Sequence, residues 1–303
     1  MVRKYFLNFV LVALILVSAT PLPAGMMSVC ALLKSKGDPS GLESRALRSI
    51  DLAKIQPKQI TKLSMSVVRI DLNDGTFIVL RMPMPPYDDI YFERFASLMF
   101  NSAPGVATPE IALRKLPGPL AKRMQPLFNS QSDQYQELGS KKPIQVSVSL
   151  FYEATVGTDF LTNAQNNFLS RPDAPWNELP KDLRRQLADH WALYAALAIP
   201  DFHPNNWLID DGRVVAIDLA LRSSEFDRGH LSFQDLRSPV RESAYIESEN
   251  GDIVKDISSE MRAFLGSITG EHVKDIAQAA EFQLTTQQIE GVIVRARALA
   301  KSF

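Results

Sequence analysis

Between Asp201 and Ala220 the chain reads DFHPNNWLIDDGRVVAIDLA, and Asp218 follows a run as apolar as Val214-Val215-Ala216-Ile217. A carboxylate withdrawn from water is costly unless a cation or hydrogen-bond donors meet it. This stretch therefore constrains the fold more than any other. The apolar runs WLID and VVAID flank Asp211-Gly212, a turn dipeptide, so the segment predicts a short hairpin. Asp201 and Asn206 then sit in the turn ahead of the first strand, and Asp218 ends the second. All three side chains can converge on one spot in front of the hairpin. Hard oxygen donors of this kind suit Mg²⁺, which takes carboxylates, waters and substrate phosphates. The bland alternative is a polar turn and a hairpin end facing water.

The surrounding pattern divides the chain. The runs SVVRIDL and TFIVLRM, joined across Asp74-Gly75, predict a β-hairpin, and DDIYFERFASLMF predicts a helix with acidic residues in its first turn. GVATPEIAL reads as a loop entering another strand, and residues 114–142, rich in Pro, Ser and Gln, read as an irregular insertion. The alternation of Ile144, Val146, Val148 and Leu150 predicts a half-buried strand. Beyond it the periodicity turns helical: Leu183, Leu187, Trp191, Tyr194 and Ala198 recur at spacings of three and four. Near the C-terminus Thr285 to Gln288 is a capping-box pattern, and Arg295, Arg297 and Lys301 suit the negative end of that helix. The expectation is an α+β fold of two lobes, the first strand-rich and the second helical, with the Asp201–Asp218 stretch at their junction.

In that order of elements the chain resembles the protein-kinase-like superfamily, in its atypical branch. Asp-x-x-x-x-Asn followed by an apolar strand ending in Asp is similar to that family's catalytic loop and metal-binding strand. DFHPNNWLID resembles the version found in aminoglycoside and choline phosphotransferases and in other atypical kinases, and NNWLI with VAID looks like the matching segment of type II phosphatidylinositol 4-kinases. The likeness runs from about Leu63 to Leu221 and is specific at residues 201–218. It implies a kinase-like N-lobe over 61–155 and C-lobe over 156–303, preceded by an N-terminal helical extension over 25–60. It further implies ATP and Mg²⁺ as cofactors and a hydroxyl-bearing acceptor as substrate. Asp201 would be the catalytic residue, and Asn206 and Asp218 the metal ligands. Arg81 would take the place of the phosphate-contacting lysine, with Glu93 as its ion-pair partner. Glu153 and Thr155 in LFYEATVGTDFL would flank the adenine, and Ser64 and Ser66 in TKLSMSVV would contact phosphates.

Two departures from the family pattern keep other readings open. Arg81, in FIVLRMP, is a planar fork in place of a compact ammonium, and no glycine-rich loop precedes it. A pseudokinase that binds or scaffolds, or a nucleotidyltransferase on the same fold, are the alternatives. His203 is expected to have a structural role near the catalytic loop. Phe151 and Tyr152 read as strand packing.

The formal net charge of −1 and the lack of any basic stripe argue against a nucleic-acid partner. A single cysteine, Cys30, excludes an intramolecular disulfide, and Val29 before it is not the small residue that lipoprotein processing favours. At the start, MVRK and the fifteen apolar-rich residues Tyr5 to Ala19 precede small residues at Val17-Ser18-Ala19 and Pro23-Ala24-Gly25. That layout reads as a signal peptide over 1–24, so the chain is expected to be exported, with no stable membrane span after cleavage.

Overall fold

A computed structural model of the chain describes residues 45–64, 66–83, 90–128, 144–150, 154–157, 179–199, 202, 206–219 and 250–301. The signal-peptide segment, Phe151, Tyr152, Glu153, Asp201 and His203 lie outside the described residues.

A short helix, α1 (Arg45–Ser49), leads into β1 (Pro57–Lys62), so the sheet begins inside the stretch read as an extension. Strands β2 (Val67–Leu72) and β3 (Phe77–Arg81) form the hairpin, and Gly75 between them takes φ +83°, a conformation glycine reaches without strain. Helix α2 (Ile90–Ser102) follows, then β4 (Ala112–Lys115), α3 (Gly118–Met124) and β5 (Gln145–Leu150). The five strands make one antiparallel sheet in the order β1-β2-β3-β5-β4.

Strand alternation gives this sheet two different faces. Val68, Ile70, Ile78, Leu80, Val146 and Val148 point to one side, where they pack with Leu47 of α1 and with Leu120, Met124 and Phe128. The irregular insertion expected over 114–142 is thus corrected in its first part. Residues 118–127 are α3 and a 3₁₀ turn, because Leu120, Ala121 and Met124 cover the outer face of the sheet. The opposite face carries Val67, Val79, Arg81, Ser147 and Ser149 toward the second lobe.

The helical lobe opens with a strand, β6 (Thr155–Val156), which pairs with β7 (Trp207–Asp210), itself paired with β8 (Arg213–Ala216). The hairpin turn lies at Asp211-Gly212, as the dipeptide predicts. Helix α4 (Lys181–Ala196) is buried on nearly every side; α5 (Asn250–Asp256) and α8 (Thr286–Lys301) pack against it, and α6 (Ser259–Ser267) and α7 (Gly270–Ala279) pack on α8. The capping box at α8 is reciprocal. Gln288 N–H donates to Thr285 Oγ1 at 3.2 Å, and Thr285 N–H donates to Gln288 Oε1 at 2.8 Å. No helix among the described residues is long and apolar enough to cross a membrane.

Two features of this core were not expected. Phe92, Phe95, Ala96, Met99 and Phe100 of α2 belong to the core of the helical lobe, although α2 lies in the strand-rich part of the chain. Arg295, grouped in sequence with Arg297 and Lys301 as suiting the negative end of the helix, is instead buried. Its Nε donates to Ala196 O at 2.9 Å, its two terminal nitrogens lack hydrogen-bond partners among the described residues, and burial lowers the pKa of its guanidinium to about 10.

One buried carboxylate makes stability depend on pH. Asp189 of α4 accepts from Ser258 N–H at 2.8 Å, and burial raises its carboxyl to about 6. Its folded pKa exceeds the unfolded one, so its contribution is full below about pH 4 and is lost as pH rises through about 6. Asp189→Asn keeps the acceptor and removes the titration. Urea unfolding should find this variant more stable than wild type by about 2 kcal/mol at pH 7.5 and equal to it near pH 4. Equal stability at both values would show that the carboxylate ionises without penalty.

Candidate active site

The two lobes enclose a cleft of about 550 Å³. Its walls are apolar: Val67 and Val79 come from the sheet, and Val156, Leu208 and Ile217 from the second lobe. Such a cleft suits a largely apolar ring, and Arg81, Glu93, Ser147 and Asp218 cluster at one end of it.

Arg81, the last residue of β3, stands at that end. Its Nε lies 3.0 Å from Glu93 Oε1, and its Nη2 lies 2.7 Å from Asp218 Oδ1. One guanidinium thus joins all three elements that meet at the site: the sheet, α2 and the segment after β8. Arg81 and Glu93 are both buried, whereas the side chain of Asp218 is 42% exposed. The pairing of β3 with β5 sets Arg81 opposite Ser147, and Ser147 Oγ donates to Glu93 Oε2 at 2.8 Å. Glu93 is therefore held by the sheet on both of its oxygens.

Asp218 does not end the strand, since β8 stops at Ala216 and Asp218 follows two residues later at φ +57°. Left-handed backbone is uncommon outside glycine, though Asp and Asn tolerate it better than other residues. Strain of this kind collects at sites where a side chain must be aimed. Two hydrogen bonds at Ile217 over-determine the turn: its N–H donates to Asn206 O at 2.8 Å, and its carbonyl accepts from Tyr194 Oη at 3.2 Å. Asn206 is buried, opens the segment into β7, and lines the same end of the cleft as Asp218.

Asn206 and Asp218 offer oxygen donors only, the chemistry Mg²⁺ takes. No group of three or more His, Cys, Asp or Glu that could hold a metal gathers among the described residues. This donor pair suits an ion whose shell is completed by phosphates and water.

The structure brings together Arg81, Glu93, Asn206 and Asp218, and Ser64 joins them on the cleft wall. Ser66 is buried beside the β1–β2 turn and is not part of the lining; its carbonyl accepts from Met82 N–H. Thr155 takes its place through its backbone, paired with Ile209 in the small sheet. Sequence reasoning missed Ser147 and Tyr194 as partners of the site. Ser147 becomes visible only once β5 is known to lie beside β3, while Tyr194 looks like any other core residue of its helix. It also passed over His190, which is fully buried and which burial holds down to about 4, hence neutral. With Nδ1–H donating to Gln186 O at 2.7 Å, Nε2 accepts from Ala107 N–H at 3.3 Å. This ties α4 to the loop that follows α2.

No protein-family model matches the sequence, and no curated protein matches it. Solved structures similar to the chain include the Helicobacter pylori proinflammatory kinase CtkA, at 14% identity and a TM-score of 0.41, over 81% of this chain and 95% of that one. The kinase domain of maize SIRK1, bound to AMP-PNP, has 12% identity and a TM-score of 0.33, over 87% and 98% of the two chains. The MAP kinase LmaMPK10 of Leishmania major has 12% identity and a TM-score of 0.30, over 88% and 86%. An antiparallel sheet in the order β1-β2-β3-β5-β4, a helix that pairs its glutamate with the cation of β3, and a helical lobe that presents Asn206 and Asp218 across a cleft together make the bilobal α+β arrangement expected from the sequence.

Proposed function

We propose that the chain is an exported, Mg²⁺- and ATP-dependent phosphotransferase that moves the γ-phosphoryl group of ATP to a hydroxyl acceptor. The observation that supports it most is the Arg81 guanidinium shared between Glu93 and Asp218 at the polar end of an otherwise apolar cleft. Adenine would occupy the slot between Val67, Val79, Leu208 and Ile217, with its phosphates directed toward Arg81. Asn206 and Asp218 would hold Mg²⁺, which neutralises phosphate charge and keeps the leaving oxygens in line. Asp201, five residues before Asn206 in sequence, would accept the acceptor's proton. The acceptor oxygen bonds to the γ-phosphorus as the bond to the β,γ-bridging oxygen breaks, and ADP leaves with that electron pair. Export is inferred from the signal-peptide-like layout of residues 1–24.

The same bridge motivates a second reading. An arginine on Asp218 competes with a metal for that carboxylate, which suits a pseudokinase that binds or scaffolds. Melting temperature separates the two. ATP with Mg²⁺ should raise it through binding linkage, ATP with chelator should do so much less, and γ-labelled ATP should label an added acceptor or the protein itself. A shift indifferent to metal, with no label transferred, would replace the phosphotransferase by the binding module.

A further inference from the structure

Helix α2 carries Glu93 toward the sheet, while the residues on either side of Glu93 face the end of α7. That end is a Schellman turn: Glu281 N–H donates to Gln278 O at 3.1 Å, and Phe282 N–H donates to Ala277 O at 2.9 Å. Its left-handed position, φ +59°, is occupied by Glu281, where glycine would sit without strain. A strained residue invites the question of what its side chain does. Glu281 Oε1 lies 2.9 Å from Arg94 Nη1, and Arg94 is buried. The next residue, Phe282, sets its ring edge-on to Phe92 at 5.6 Å and stacked on Phe95 at 5.7 Å. Aromatic contacts of this geometry add attraction beyond the apolar area they bury. Two consecutive residues of the C-terminal helical region thus grip α2 at Phe92, Arg94 and Phe95, the positions that bracket Glu93.

The far end of α2 is fixed as well. Phe100 packs edge-on against Tyr194 at 5.3 Å, and Ser97 Oγ donates to Pro109 O at 2.8 Å. Between these anchors α2 reaches the sheet with polar groups, Glu93 to Arg81 and Ser147, and Tyr91 Oη to Gln145 at 3.1 Å. We propose that Glu281 and Phe282 are positioning residues for the cleft, holding the first turns of α2 so that Glu93 stands at Arg81 before any nucleotide arrives. The value of this for chemistry rests on the phosphotransferase reading above; the mechanical claim does not.

Two variants of the full chain separate positioning from mere stability. Glu281→Gln removes the charge and keeps the backbone strain. Glu281→Gly removes the charge and relieves the strain, so it should melt higher than Glu281→Gln. If Glu281 positions α2, both variants should raise amide hydrogen exchange across residues 90–96 about tenfold in the nucleotide-free protein. Both should also weaken Mg²⁺·ATP binding by about tenfold, despite their different melting temperatures. Exchange and affinity that instead follow the melting temperature, with Glu281→Gly close to wild type, would reduce Glu281 to a structural residue and overturn the proposal. Unchanged exchange in both variants would overturn it too. A wild-type chain that binds no Mg²⁺·ATP, while α2 exchange still responds to both variants, would instead overturn the phosphotransferase and leave the positioning contact standing.

Discussion

Asp218→Asn should abolish the Mg²⁺-dependent part of nucleotide stabilisation and lower phosphoryl transfer by about a thousandfold or more. Asparagine is the informative replacement, because Asp218 has φ +57° and Asn tolerates that backbone where Ala is strained. The shape of the turn and its bonds at Ile217 are retained, so the loss reports the charge. The protein without nucleotide should keep nearly its full melting temperature, since this side chain is partly exposed and its pairing with Arg81 is screened by water. Asp201→Asn should separate the two steps. Metal-dependent binding should stay near wild type while transfer falls by about the same factor, because the role proposed for Asp201 is with the acceptor hydroxyl and not with the nucleotide. Thermal shift with and without chelator, alongside γ-label transfer, reads both. Loss of binding in Asp201→Asn, or transfer surviving in Asp218→Asn, would contradict the roles assigned.

Arg81→Ala should be the most damaging single change to the protein itself. Glu93 is buried, and removing one partner of a buried ion pair costs about 3–5 kcal/mol because the other charge is stranded. In a chain of this size that corresponds to a fall in melting temperature on the order of 10 °C. Nucleotide affinity should fall by about a hundredfold or more, since the phosphates lose the Arg81 cation and Glu93 is left uncompensated beside them. Arg81→Lys should recover most of the stability and only part of the affinity. An ammonium is a point charge that meets Glu93 or Asp218, whereas the fork meets both. Were Arg81→Lys to equal wild type in both measures, the bridging geometry would be incidental.

The parts of this fold that were legible in the sequence are those set by local periodicity and turn chemistry. The hairpins at Asp74-Gly75 and Asp211-Gly212, the stripe of α4 and the capping box of α8 each follow from a few neighbouring residues. The site was legible through one dense cluster, residues 201–218, and through element order, which placed Arg81 and Glu93 in candidate positions. What could not be read depends on who packs against whom. Residues 118–127 look irregular by composition and become helical because the outer face of the sheet needs cover. Arg295, in the interior of α8, reads in sequence as one of a group of cations suited to the helix end, yet Ala196 O receives it in the core. Ser147 is a small polar residue on a strand until β3 lies beside it and Glu93 above it. Long-range pairing is not written in any local window, so these assignments needed coordinates.

The membership of α2 in the core of the helical lobe bears on how the chain acquires its structure. Phe92, Phe95, Met99 and Phe100 emerge early in the chain, but the partners that bury them include Tyr194 and Phe282, roughly one hundred to two hundred positions later. Contacts of such sequence separation form slowly, because the loop between them must close before burial repays it. A fragment ending at the junction between the lobes leaves these four side chains without their partners. The strand-rich half therefore cannot be completed as an independent unit during synthesis. Its helix waits for the C-terminal hundred residues, which makes the two lobes one cooperative folding unit and exposes the nascent chain to aggregation until the last helices are made.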